Sequence, residues 1–359
     1  MKRLLLLLVV LMLVAGGCGK EKASLGKNDT FRLLVKKDGK FGFCARDGQL
    51  VIPAKYDNAS MFSEGLAAVR VGGKDGFIDP TGKMVIQPRF QATSIFLEGK
   101  AAVMFGDRWG FIDRAGNLVT DMFYLAASGY TEKLASVVVA QPKGEPKAGF
   151  LNPKGTFALT AKYDDASIFS EGLAAVLIGK KRGYIDHAGK LVIPATFDDA
   201  KPFREGLAQI QIGDTAGQCG FIDHQGNLVI PAVYTGASNF SEGVAAVRTK
   251  SGTWLLIDRS GKPITAKEFK APTIFSEGLA PVVVDKKIGY MDKQGNMVIA
   301  PQFKSGSIFV EGLAAVQVGD RAGFINHKGE MVINPDYQWD QHSVDMQVFY
   351  YTTLGKIKN

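Results

Sequence analysis

The chain has 359 residues, of which 46% are hydrophobic and 22% charged, a composition that excludes a disordered chain. Its formal net charge is +8, from 43 basic and 35 acidic residues; loss of Lys2 and Arg3 with a cleaved leader leaves 41 against 35, or +6. That mild excess favours anionic surfaces without the strong basic patch of a nucleic-acid binder, and three cysteines exclude a disulfide framework.

The first element is a leader. Lys2 and Arg3 precede an apolar run from Leu4 to Val14, which ends at Ala15-Gly16-Gly17-Cys18. This run is shorter than the roughly 20 residues that cross a bilayer, so it reads as an export signal over residues 1–17. Small residues before a cysteine fit the narrow subsites of a signal peptidase, and the segment resembles a bacterial lipobox with Ala15 where Leu is usual. The resemblance implies a lipid on Cys18, followed by a short tether to residue 30. Gly19, where Asp would signal inner-membrane retention, implies an outer-membrane anchor facing the periplasm, or the outer leaflet of the cell membrane in a Gram-positive host. The other cysteines, Cys44 and Cys219, stand at non-equivalent places, and nothing in their spacing supports a bridge.

From Phe31 onward the sequence repeats itself. Gly42-Phe43, Gly76-Phe77, Gly110-Phe111, Gly149-Phe150, Gly183-Tyr184, Gly220-Phe221, Gly289-Tyr290 and Gly323-Phe324 recur, with Leu255-Leu256 in the missing place. The spacings are 34, 34, 39, 34, 37, 35, 34 and 34 residues, so nine copies begin near 41, 75, 109, 148, 182, 219, 254, 288 and 322. No linker or change of composition interrupts residues 31–359, which leaves no separable catalytic domain.

Within a copy, a first strand such as Gly76 to Asp79 runs into an Asp/Asn-x-x-Gly turn, as at Asp79-Pro-Thr-Gly82 and Asp186-His-Ala-Gly189. Asp or Asn opens a type I turn and Gly takes the positive φ that follows, which makes a hairpin. The second strand is a β-branched run such as Leu191-Val192-Ile193. Proline is expected to end it at Pro53, Pro194 and Pro231, because it cannot donate the next ladder bond. A connection of about a dozen residues carries two aromatic anchors, for example Phe90 and Phe96, the second just before a Glu-Gly pair. Apolar residues recurring once per copy are what packing between repeats needs. A third strand such as Leu66 to Val69 then turns tightly into the next copy.

Phe31 to Lys37 reads as a third strand placed before the first copy, and Met346 to Thr353 as the third strand of the last. The insertions at Gln141 to Lys147 and Gly213 to Gln218 fall in the same hairpin between copies, which places that tip in solvent. The fold expected is all-β, a tandem array of about nine three-stranded antiparallel meanders coiled as an open solenoid or superhelix. A closed β-propeller is the alternative; three strands per unit and a surplus strand at the chain's end weigh against it.

The run Trp109-Gly110-Phe111-Ile112-Asp113, with the Gly-x-Leu-Val-Ile-Pro and Phe-Ser-Glu-Gly-Leu-Ala stretches, resembles the bacterial WG-repeat family over residues 31–353. The Trp-Gly pair survives intact only at Trp109-Gly110, with Trp254 kept beside Leu255. The resemblance implies a β-rich repeat scaffold with a binding role.

Candidate chemistry is sparse. Glu64, Glu98, Glu132, Glu171, Glu205, Glu242, Glu277 and Glu311 recur once per copy, whereas catalysis needs an asymmetric group of unlike pKa; they read as structural acceptors of backbone N–H groups at the Glu-Gly turn. His187, His224 and His327 share one turn position and read as exposed turn residues, not as a metal site. Basic residues gather at the hairpins between copies. Arg108, Lys180, Lys181, Arg182, Lys286, Lys287 and Arg321 would form a positive rim suited to an acidic protein or an anionic glycan, with Trp109 beside it to stack on a sugar. No Gly-x-Ser-x-Gly, His-Glu-x-x-His, phosphate loop or Cys-x-x-Cys is present. The expectation is a non-enzymatic envelope scaffold without metal or cofactor, held to the membrane by its lipid, that binds an envelope protein. Glycan or peptidoglycan binding is the alternative.

Overall fold

The computed structural model describes residues 31–121, 123–213, 218–341 and 344. The leader, Cys18 with its tether, and the strand expected over 346–353 lie outside the described residues. Within them, the expected first strand forms in every copy and the second in all but the third and seventh, which keep only isolated bridges. In the second copy they are Lys74–Ile78 and Met84–Phe90, joined by the turn in which Asp79 Oδ1 accepts the N–H groups of Thr81 and Lys83.

These strands pair with Ala67–Val71, the third strand of the copy before, and with a two-residue strand, Asn58–Ala59, from within the connection. Four antiparallel strands therefore make one sheet, out of phase with the sequence copy, and the same order recurs in the sheets that start at Ala126, Asp165, Asp199 and Ser305. The expectation of three strands missed the short one. Two residues are too few to show alternation, and the stretch Asn58-Ala59-Ser60 is held by its serine: Ser60 Oγ accepts Ala68 N–H, a bond repeated by Ser94, Ser167, Ser238 and Ser307.

Proline does not end the second strand. Leu50–Tyr56, Leu191–Phe197 and Leu228–Tyr234 run through Pro53, Pro194 and Pro231. These strands lie at the free edge of their sheets, where a missing N–H costs no ladder bond, and the prolines sit in a bulge. The bulge also explains the recurrent glycine. Arg182 faces Phe197 and Tyr184 faces Ile193, so the longer strand folds over Gly183, where a Cβ would meet Ile193 O at 2.5 Å. Leu255 takes that place only where the second strand is lost: its copy keeps two isolated bridges, Trp254 to Phe269 and Ile257 to Pro263.

The first and last copies meet. One seven-stranded sheet runs Ser305–Gly306, Ala314–Val318, Arg321–Ile325, Met331–Gln338, Leu33–Lys37, Lys40–Cys44, Leu50–Tyr56. Lys36 pairs with Gln338, Gly39 N–H donates to Gln338 Oε1 at 2.8 Å, and Tyr337 Oη donates to Gly48 O at 2.7 Å. The turn glycine of each copy rests on the mid-strand side chain of the copy before, as Gly329 does on Ile299, and Gly48 of the first copy rests in the same way on Ile333 of the last. Of the two arrangements open to the sequence, these contacts select the closed ring over the open superhelix. The surplus strand that weighed against closure is accounted for in part, since Leu33–Lys37 fills the third-strand place of the first sheet.

The core is distributed between neighbours. Phe77, Ile86, Phe90, Phe96, Ala101, Val103 and Ile112 belong to one cluster that crosses between copies, and two of its three aromatics, Phe77 and Phe96, meet edge to face at 4.8 Å. Equivalent pairs lie 4.9–5.1 Å apart in six other copies. Each buried aromatic contributes on the order of 2–3 kcal/mol of apolar transfer, so every copy depends on the next for its core.

Candidate functional site: two faces of one ring

Strand register sorts the loops onto two faces. Ala67 lies opposite Ile78 and Val71 opposite Lys74, so the Glu-Gly turn and the Asp-x-x-Gly turn share one end of the sheet, while the hairpin between copies occupies the other.

On the turn face, Ser63 and Leu66 exchange both backbone hydrogen bonds around Glu64 and Gly65, whose φ values of 50° and 73° make a left-handed hairpin turn. All eight glutamates at this place have φ of 50–55°, a conformation that costs a residue with a Cβ about 1 kcal/mol. Their carboxylates offset it by reaching the turn of the following copy. Gly99 N–H donates to Glu64 at 2.9 Å, Lys133 N–H to Glu98 at 2.8 Å, Gly206 N–H to Glu171 at 2.9 Å and Gly312 N–H to Glu277 at 2.9 Å. Glu205 and Glu242 each accept two N–H groups, and Gly172 donates to Glu132. The expected acceptor role is there, but its donors belong to the next copy instead of the glutamate's own turn. Adjacent hydroxyls act alike: Ser63, Thr131, Ser170, Ser241 and Ser276 donate to the carbonyl of the next copy's anchor aromatic.

A second set of contacts spans two copies. His187 Nε2 lies 2.9 Å from Glu132, His224 3.4 Å from Glu171, His327 3.1 Å from Glu277, and Lys293 Nζ 3.2 Å from Glu242. Arg46 of the first copy lies 3.5 Å from Glu311 of the eighth, the same step counted around a ring of nine. The histidines are thus more than exposed turn residues: each ring also stacks on an anchor, Phe169, Phe203 or Phe309, at 4.3–4.6 Å. Because each sheet joins the third strand of one copy to the first two of the next, these partners stand on adjacent sheets, and the contacts tie sheet to sheet. Burial opposes ionisation of Glu242, yet the N–H groups of Gly278 and Glu277 and the Lys293 ammonium hold its carboxyl below the usual range.

The hairpin-tip face is different. Here Lys40 pairs with Asp57, Lys147 with Asp164 and Lys181 with Asp198, and the same aspartates accept the tip N–H groups of Gly72, Gly179 and Gly213. The lysine and the N–H hold the carboxyls of Asp164 and Asp198 below their ordinary range. Arg182 is clamped between Asp165 at 2.5 Å and Asp199 at 3.3 Å, and Arg321 donates to Asp336 O. Of the expected rim, Lys181 and Arg182 are therefore committed to neighbours, Arg108 approaches only the adjacent Asp107, and Lys180, Lys286 and Lys287 have no carboxylate partner among the described residues. Trp109 is half-buried, packs on the cluster of Phe111, Tyr124 and Tyr130, and pairs through its backbone with Tyr124, so it belongs to the packing of its own copy. Cys18 lies outside the described residues.

Sequence reasoning missed a ring of exposed apolar side chains on this face. Val71, Phe105, Ile178, Ile212, Val284 and Val318 each close a third strand just before the tip and are 39–56% exposed. Their recurrence at one position was the available signal. Among the described residues no three of His, Cys, Asp and Glu gather as a metal-holding group. Cys44 and Cys219 are buried and unpaired, and burial pushes the Cys44 thiol up to about 12, which leaves it no nucleophilic character near neutrality.

The family described as WG containing repeat matches residues 41–74, 76–109, 149–181, 183–215, 220–254, 256–287, 288–321 and 323–339. No curated protein matches the chain. Similar solved structures include the computationally designed Ika8 protein, at 11% identity and a TM-score of 0.46 over 76% of this chain and 93% of that one. BamB from Moraxella catarrhalis is similar at 11% identity and TM-score 0.41, covering 74% of this chain and 96% of that one. Apo AztD from Citrobacter koseri is similar at 15% identity and TM-score 0.42, covering 74% and 93%.

Proposed function

The chain belongs to the WG containing repeat family, and from that premise we propose that it is a cell-envelope lipoprotein, anchored through Cys18, that works as a non-catalytic scaffold for a protein partner. The observation that carries this reading is the division of labour between the faces. The turn face uses its carboxylates and hydroxyls to join one copy to the next, and the hairpin-tip face sets exposed apolar side chains beside unpaired lysines; the edge strands also expose apolar pairs, such as Leu191-Val192 and Met297-Val298, at their turn ends. Six apolar side chains spread around a ring suit a surface that spans several copies, which a folded protein offers and a small substrate does not.

The leader supports export, and its Ala-Gly-Gly-Cys end supports lipidation at Cys18 with an outer-membrane location facing the periplasm. Labelling cells with a tagged fatty acid tests this: the mature protein takes up label, and Cys18→Ser abolishes it. Retention of label in that variant overturns the anchor. For the scaffold role, in-cell crosslinking followed by mass spectrometry is expected to return one recurrent protein partner; the absence of any reproducible partner overturns it. The glycan reading is weaker, because Arg182, Lys181 and Trp109, on which it drew, are held by neighbours.

A further inference from the structure

We infer that the hairpin-tip face is the docking surface and that the partner it fits is a folded protein whose contacting surface sets carboxylates among apolar side chains; this rests on the scaffold reading above. The first ground is where the chain joins the ring. Leu33 pairs with Cys44, at the turn end of the first sheet, while Lys37 pairs with Lys40 at the tip. Arg32 Nε donates to Pro80 O in the turn of the second copy at 2.8 Å, and the Arg46 guanidinium lies over the Phe31 ring at 3.7 Å. The described chain therefore enters the ring, from Phe31, on the turn face.

The second ground is charge. Lys37, Lys74, Lys143, Lys180, Lys286 and Lys287 have no ion pair among the described residues, whereas only three acids of the same hairpins, Asp38, Glu145 and Asp285, stand equally unpaired. Most of these lysines follow an exposed apolar side chain by two or three residues, as Lys180 follows Ile178 and Lys286 follows Val284. An apolar contact flanked by cations favours an apolar surface edged with carboxylates, and the flanking charges set approach and discrimination more than depth of affinity. Ring closure enlarges the surface. It brings the tips at Val284, Val318 and Lys37 into sequence around one arc, although they stand at opposite ends of the chain.

The experiment places a photo-reactive amino acid in the full, lipidated chain in cells, at Phe105, Ile178 or Val318 on the tip face and at Thr81, Gln225 or Lys328 on the turn face. The expected result is one protein adduct from all three tip positions and none from the turn positions. Its yield should fall several-fold in Lys286→Glu/Lys287→Glu and with rising salt. Adducts from the turn face alone, phospholipid adducts at the tips, or a yield unmoved by the charge reversal overturn the inference while leaving the scaffold reading standing. Absence of protein adducts from both faces overturns the scaffold reading and the inference with it.

Discussion

The two faces of the ring are made from the same nine copies, yet they treat their polar groups differently. On the turn face a polar side chain reaches outside its own copy: Glu205 takes the N–H groups of Glu242 and Gly243, and Ser276 donates to Phe309 O. At the tips, Ile178 and Lys180 have no polar bond to a neighbouring copy among the described residues, and the hairpins are tied by Asp caps and by pairs such as Arg182 with Asp165 and Asp199. Repetition therefore means two things here. Where a position serves the joint between copies it keeps one residue type, as Glu does. Where it does not, the copies diverge, as Val71, Phe105, Ile178 and Thr249 show at one tip position. The difference teaches which face holds the copies together.

That comparison needs a closed ring, because only closure puts all the tips on one circle. Lys36 and Gln338 are direct partners across antiparallel strands, where Cα atoms lie about 4.5–5.5 Å apart, within the range a disulfide spans. Lys36→Cys/Gln338→Cys is expected to oxidise within the monomer and to shift migration on non-reducing gels, with a thermal midpoint above the reduced form. Failure to crosslink, with both thiols open to alkylation, breaks the ring and with it the two-face comparison.

The next largest effect concerns the joint itself. Glu242→Ala removes the acceptor for two backbone N–H groups and the partner of Lys293, and charge-assisted bonds of this kind are worth about 1.5–3 kcal/mol. Because the side chain is still 19% exposed, the loss expected in urea unfolding is toward the lower end of that range. Ser276→Ala, at a fully buried hydroxyl that serves one carbonyl, is expected to cost about 1 kcal/mol. If neither substitution moves the unfolding midpoint, the turn face is not what holds the copies together.

Acid sharpens the same contrast. The folded state holds the carboxyl of Glu242 below its ordinary range, so this contribution is complete above the unfolded-state value and is lost as pH falls through the folded one. Stability should decline as pH is lowered below the ordinary carboxylate range, and Glu242→Gln should flatten part of that decline. Asp164 and Asp198 are held down in the same direction at the tips, but the Asp164 side chain is more exposed than that of Glu242, 31% against 19%, and Asp164→Asn should flatten it less. An equal flattening would put the two faces on the same footing.

Much of the ring was legible because its elements carry strong local chemistry. The Asp-x-x-Gly turns, the Gly-Phe strands and the aromatic anchors each need a particular residue, and the copies supply eight or nine readings of each need. What stayed hidden was whatever depends on a second copy. Nothing in Glu64-Gly65 says whether the carboxylate turns back or reaches Gly99, and nothing in His187 announces a partner 55 residues upstream at Glu132. The strand Asn58–Ala59 has no pattern of its own, so this short member of the sheets was invisible. The rim was half legible: composition placed cations at the tips, but Asp198, 17 residues beyond Lys181, had to be seen beside it.

The smallest expected effect is the most discriminating. Ile178→Ser and Lys286→Glu alter side chains that the fold leaves exposed, with no hydrogen bond between copies to break, so each should shift unfolding by less than about 0.5 kcal/mol. Those same substitutions fall on the face inferred to dock the partner, so partner crosslinking should drop while the unfolding curve does not move. A tip substitution that destabilises the ring as much as Glu242→Ala would mean that exposed apolar side chains at the tips are shoring up their hairpins.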